Sequence, residues 1–115
     1  MAEGTLSYLY ALAEGDMGFV VEILDLMYKN IPLDIANIEQ AISRSDFTNL
    51  KRSAHHMKSS IQYSNDIDLS DLLAKIETTK DSIFALNEVK SLMPQLKELS
   101  DKLMQLIETE KKKIV

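Results

Sequence analysis

The feature that most constrains this chain is its shortage of residues that break helices. Across 115 residues there are two prolines, Pro32 and Pro94, and three glycines, Gly4, Gly15 and Gly18. Between these few interruptions apolar residues return every three or four positions, which lines one face of a helix of 3.6 residues per turn. No stretch keeps the two-residue alternation of a half-buried strand. The chain is therefore expected to be all-α. Its length suits one hydrophobic core, so residues 1–115 are read as a single helical domain.

Helix by helix, the pattern predicts a short first helix over residues 6–13, with Thr5 as N-cap, Leu6, Leu9 and Leu12 on one stripe, and Gly15 ending it. Asp16 can cap a second stretch carrying Phe19, Val20, Ile23, Leu24 and Met27, continuing through Ile31 and Ile35 to Ile42. Pro32 lies inside it, and either kinks one helix or separates two. Ser45-Asp46 opens a helix over residues 47–64, Asn65 suits the left-handed residue of a helix end, and Asp66 and Asp68 open the next helix, over residues 69–79. After a polar connection at residues 80–82, Val89, Leu92, Leu96, Leu99, Leu103 and Leu106 form a near-heptad stripe on the last helix. Pro94 should bend that helix or mark its first turn. The charged end, residues 108–113, is expected to fray, and Val115 to be mobile. Four of these helices make an antiparallel four-helix bundle, with the additional short N-terminal helix packed against or across one end.

Composition removes several functions. A formal net charge of −5 and a pI near 5.0 argue against nucleic acid as a partner, because phosphate backbones are held by clustered Lys and Arg. With no cysteine, disulfides, thiolate catalysis and cysteine-ligated zinc are excluded; a reducing, cytoplasmic setting is the expectation. No apolar run approaches the roughly 20 residues that span a bilayer, and residues 1–12 lack the basic-then-apolar order of a signal peptide. The three glycines form no phosphate-cradling loop, so the chain is not expected to be a self-sufficient kinase.

Chemistry concentrates on the third predicted helix. Phe47, Leu50, Ala54, Met57 and Ile61 form its core stripe. At about 100° per residue, His55 falls roughly 120° from the stripe's centre and His56 roughly 140° away on the other side. His55 neighbours Lys51, Lys58 and Gln62, whereas His56 neighbours Arg52, Ser60 and Tyr63. Two histidines about 100° apart cannot easily share a metal, and no carboxylate lies within a turn of either on the same helix, so no metal site is expected. A neutral surface imidazole can accept a phosphoryl group and release it again, and Lys58 could neutralise its oxygens. On spacing alone either histidine could serve, or both could simply face solvent. The methionines, Met27, Met93 and Met104 among them, read as adaptable core filling, and Tyr8, Tyr10, Tyr28 and Tyr63 as packing residues.

The run Ala54-His55-His56-Met57-Lys58-Ser59-Ser60 resembles the A-H-x-L-K-G-S signature of histidine phosphotransfer (HPt) domains. Met57 replaces the usual leucine. The resemblance extends along nearly the whole chain: an early Leu-rich turn, the Gly15-Asp16 junction, a phenylalanine-containing helix reaching Pro32, Ser45-Asp46-Phe47 before the signature, and Leu69, Leu72, Ile76 and Glu77 after it. Two positions depart from the family pattern, Ser59 for a glycine that leaves room for the partner's active site, and Asn65 for a glycine at the helix end.

The resemblance implies a phosphoryl carrier in a two-component phosphorelay, with His55 rather than His56 as acceptor, Lys58 holding the phosphoryl group, and Glu77 fixing the imidazole through its other nitrogen. The partners it implies are receiver domains of response regulators or of a hybrid sensor kinase, met by a monomeric chain through Met57, Ser59, Gln62 and the exposed part of the second helix. No cofactor is expected in the chain itself, since Mg2+ would belong to the receiver. The alternative reading is a non-catalytic helical adaptor that binds a receiver domain or a partner helix.

Overall fold

A computed structural model describes residues 2–114, with side chains described from Leu6 onward. It contains α1 (Ala2–Ala13), α2 (Met17–Ser43), α3 (Phe47–Ser60), one 3-10 turn (Gln62–Ser64), α4 (Ile67–Glu77) and α5 (Ile83–Ile114). Among the described residues there is no strand. The helices α2 to α5 pack as a ring, α2 on α3, α3 on α4, α4 on α5 and α5 back on α2, while α1 lies against α2 and the 3-10 turn. The expected four-helix bundle with an extra N-terminal helix is therefore the observed fold.

The direction of packing can be read from ion pairs. Glu39 and Asp25 of α2 meet Lys97 and Lys111 of α5, at 2.6 and 2.5 Å, so one helix descends as the other climbs. A 32-residue α5 rises about 48 Å at 1.5 Å per residue, which matches the 47 Å long axis of the molecule.

Each turn is built by local chemistry. Asp16, Asp46 and Asp66 accept hydrogen bonds from the backbone N–H groups of Phe19, Asn49 and Leu69 at 3.0, 3.1 and 3.1 Å, taking up donors that have no partner in a helix's first turn. Asn65 adopts the left-handed conformation at φ 54°, as expected of its side chain.

Several expectations need correction. Helix α1 begins at Ala2, so Thr5 lies within the helix, and its side chain lies outside those described. Leu12 is 46% exposed, whereas Leu6, Leu9 and Ala13 are buried. Positions i, i+3 and i+7 return to one face, while repeated steps of three drift off it. Pro32 leaves α2 one continuous helix, and Pro94 lies eleven residues into α5, ruling out a first-turn role. The α-helix of the signature stops at Ser60 and tightens into the 3-10 turn, where the Ser64 hydroxyl donates to the Ile61 carbonyl at 2.6 Å. The next helix starts two residues early, at Ile67, and ends at Glu77.

The charged end of α5 does not fray. Ile107 is fully buried, Ile114 packs on the core, and Tyr10 and Tyr28 donate their phenolic hydrogens to Glu110 and Glu108. Lys111 adds a cation–π contact 5.7 Å above the Tyr28 ring. These links, invisible to a local reading, tie the terminus to α1 and α2. The expectation for Val115 lies outside the described residues.

The α5 core seam is Leu86, Val89, Met93, Leu96, Ser100, Leu103 and Ile107, a strict alternation of three- and four-residue steps. Leu92, Leu99 and Leu106 flank it, partly buried. Ser100 is a hydroxyl in an apolar seam, fully buried and without a hydrogen-bond partner for Oγ.

Candidate functional site

His55 rides on the outer side of α3 with 63% of its side chain exposed. The stripe beneath it, Leu50, Ala54, Met57 and Ile61, is fully buried and clamps the rotation of the helix, so the imidazole is held outward by packing it takes no part in. Across the α3–α4 seam, Glu77 is the last residue of α4. Its Oε2 lies 2.6 Å from His55 Nδ1, and its Oε1 accepts a hydrogen bond from Lys58 Nζ at 2.5 Å. One carboxylate thus joins the three residues singled out from the sequence.

The electrostatics follow from that bridge. The hydrogen bond from Lys58 is the largest influence on Glu77 and, with His55, outweighs partial burial to hold its carboxyl below the usual carboxylate range. An ionised carboxylate can only accept, so His55 Nδ1–H donates, and in the neutral ring the lone pair then lies on Nε2. The outcome is an oriented imidazole with its nucleophilic nitrogen in solvent and an ammonium group one turn along. Lys51, another neighbour of His55, is engaged by Asp81 at 2.6 Å.

Ser59 and Gln62 are exposed. With Lys58, Ile67, Ser70 and Asp71 they line an open groove of about 410 Å³ beside His55's helix. Met57 does not reach this surface. It is 0% exposed, because it shares the core stripe three and seven residues from Ala54 and Leu50, and it can affect a partner only through the packing of α3.

His56 also has a carboxylate partner, one that sequence reading missed. Its Nδ1 lies 2.7 Å from Oδ1 of Asp34 on α2, with the His56 side chain 63% exposed and that of Asp34 only 4%. Burial pushes the Asp34 carboxyl above its ordinary value, against the opposing pull of His56 and the nearby Ser60 hydroxyl. The available signal was register: Met27, Ile31, Asp34, Ile38 and Ala41 are the buried positions of this stretch of α2, and an acidic residue on a core stripe requires a partner. The two histidines face separate seams, His55 toward α4 and His56 toward α2. Among the described residues no group of three His, Cys, Asp or Glu side chains could hold a metal ion, and no helix is long and apolar enough to cross a membrane.

No curated protein and no solved structure matches the chain. A family match does, and it spans residues 22–109, from the body of α2 to the last turns of α5 and across both His55 and Glu77. Matched over more than half its length, the chain belongs to the Hpt domain family, whose members serve phosphotransfer in two-component systems through contact with receiver domains.

Proposed function

We propose that this chain relays a phosphoryl group between aspartates of receiver domains through His55. The observation that carries the reading is the bridging carboxylate of Glu77, which takes Nδ1 of His55 as its partner, so that the neutral ring carries its lone pair on Nε2, while it holds Lys58 beside it. A receiver's aspartyl phosphate docks against α3. Nε2 attacks phosphorus in line, the N–P bond forms as the acyl P–O bond breaks, and the receiver's carboxylate departs. The Nδ1 hydrogen stays on the ring, whose gained positive charge is met by Glu77.

Lys58 then serves the phosphoryl oxygens, exchanging one anionic partner for another, which costs little because Glu77 keeps His55 as donor. Attack by the aspartate of a second receiver reverses the sequence. The Mg2+ that such chemistry uses belongs to the receiver, and this chain contributes no cofactor. Ser59 and Gln62, with the groove they line, form part of the docking face. The chain acts as a monomeric carrier in the cytoplasm and does not make its own phosphoryl group from ATP.

The test is labelled transfer from a phosphorylated receiver to wild type, His55→Gln and His56→Gln. The expected result is no transfer to His55→Gln and near wild-type transfer to His56→Gln. Equal loss in both variants would overturn the assignment, and tight receiver binding without labelling of wild type would favour the adaptor reading.

A further inference from the structure

The Asp34–His56 pair repeats the arrangement of Glu77 and His55 on the opposite seam of α3, and nothing in the relay described above uses it. Both imidazoles present Nδ1 to a carboxylate oxygen, at 2.6 and 2.7 Å, and both leave the same 63% of the side chain in solvent. We propose that His56 is a second phosphoryl acceptor, oriented by Asp34 and assisted by Arg52, which takes phosphoryl groups from small acyl phosphates or phosphoramidates independently of His55.

Three features support a reactive site over a passive surface pair. Asp34 is buried at 3% exposure, and its Oδ2 has no hydrogen-bond partner, because the nearby Ser60 hydroxyl donates to the His56 carbonyl at 3.0 Å. A carboxylate so poorly compensated gains most when its imidazole becomes cationic, and that is the change that phosphorylation of Nε2 makes. The buried charge therefore favours the product and the transition state leading to it over the neutral ring. Arg52 lies one turn before His56 on the same face and is exposed, and its side chain makes no hydrogen bond or ion pair with the described residues. Its guanidinium is free to meet phosphoryl oxygens in the bidentate geometry that arginine favours.

The third feature lies just along the seam. A groove of about 280 Å³ is lined by Arg44, Arg52, Asn37, Asn49 and Ser53, all able to donate hydrogen bonds to an anion. Its one acidic member, Asp46, is committed to Asn49, accepting from the backbone N–H at 3.1 Å and the side-chain amide at 2.6 Å. A small phosphodonor resting there would share Arg52 with His56, on the side of α3 away from the groove beside Lys58.

The step balances simply. The Nε2 lone pair forms the new N–P bond, and the donor's P–O or P–N bond breaks, releasing a carboxylate or ammonia. The imidazole retains its Nδ1 hydrogen and gains one positive charge, which Asp34 offsets. No metal or redox partner is required.

The experiment uses the full chain carrying His55→Gln, exposed to phosphoramidate and, separately, to acetyl phosphate. Uptake is read by intact mass, and the residue is located by fragmentation under conditions that preserve base-stable, acid-labile phosphate. N-acetylhistidine is run alongside as the standard for an unassisted imidazole. His56 should be labelled about tenfold faster than that standard, Arg52→Gln should remove most of the advantage, and His56→Gln should abolish uptake. Arg52 is exposed, so that variant tests the chemistry without disturbing the core, and circular dichroism checks that each variant stays helical. Labelling no faster than N-acetylhistidine, labelling unaffected by Arg52→Gln, or phosphate found on a residue other than His56 would each overturn the proposal. Because His55 is absent throughout, these outcomes leave the relay reading untouched.

Discussion

Replacing Glu77 by glutamine isolates what the bridge does. The change is nearly isosteric, so the helix end and core are preserved, but the charge that holds Lys58 and orients the His55 ring is gone. Exposed ion pairs are worth roughly 0.2–1 kcal/mol each, and Glu77, with 24% of its side chain exposed against 63% for His55 and 35% for Lys58, belongs near the upper end of that range. Losing both pairs should cost about 1–2 kcal/mol of stability, a shift of the urea midpoint on the order of 1 M. The glutamine oxygen can still accept from Nδ1, but its amide then turns donor hydrogens toward Lys58, so either the lysine is displaced or the amide flips and loses the imidazole.

Phosphoryl transfer from a receiver should slow about tenfold, equivalent to about 1.4 kcal/mol, against complete loss for His55→Gln. The pH dependence has a definite sign. Because the folded state depresses the Glu77 pKa from its ordinary 4.5, the stability it contributes is fully present above that value and is lost as pH falls through the lower folded pKa. The Glu77→Gln chain should therefore lie below wild type near neutrality and converge on it in acid. The assays are rapid-quench transfer and urea unfolding followed by circular dichroism across that pH range. A wild-type transfer rate accompanied by the full loss of stability would refute the reasoning, leaving Glu77 as a strut between α3 and α4.

Three other substitutions separate surface from core. Met57→Ala should cost about 2–5 kcal/mol through the cavity it opens, read by denaturant unfolding, and should leave receiver affinity under native conditions within about twofold, because the side chain is not on the docking face. Ser100→Ala should stabilise the chain by up to about 1 kcal/mol, since it removes a buried hydroxyl without a partner; a loss of stability would mean that Oγ has a partner. Ser59→Gly should bind a receiver at least as tightly as wild type by calorimetry, and a markedly weaker complex would show that the serine contributes contacts.

Much of this protein is local and therefore legible in its sequence. The three- and four-residue spacing of apolar side chains dictates helices, Asp16, Asp46 and Asp66 dictate where three of them start, and Leu50, Ala54, Met57 and Ile61 turn one face of α3 inward, which by rotation alone turns both histidines out. The run from Ala54 to Ser60 carries the family, and the place of Glu77 near the end of the following helix followed from it. The drift of Leu12 off the α1 core face was also in the spacing, because steps of three fall behind a 3.6-residue turn.

What only the tertiary structure decided concerns contacts between residues far apart in the chain. Glu77 meets His55 across 22 positions, as Asp34 meets His56, and a helical wheel drawn for α3 contains neither carboxylate. The end of α5 reads as a charged tail until Tyr10, Tyr28 and Asp25 are brought against it. Pro32 leaves α2 whole because the buried residues on either side of it, Ile31 and Asp34 among them, hold both halves to one core. In each case the deciding energy comes from a partner supplied by another helix, and local spacing can say which way a side chain points but not what waits for it there.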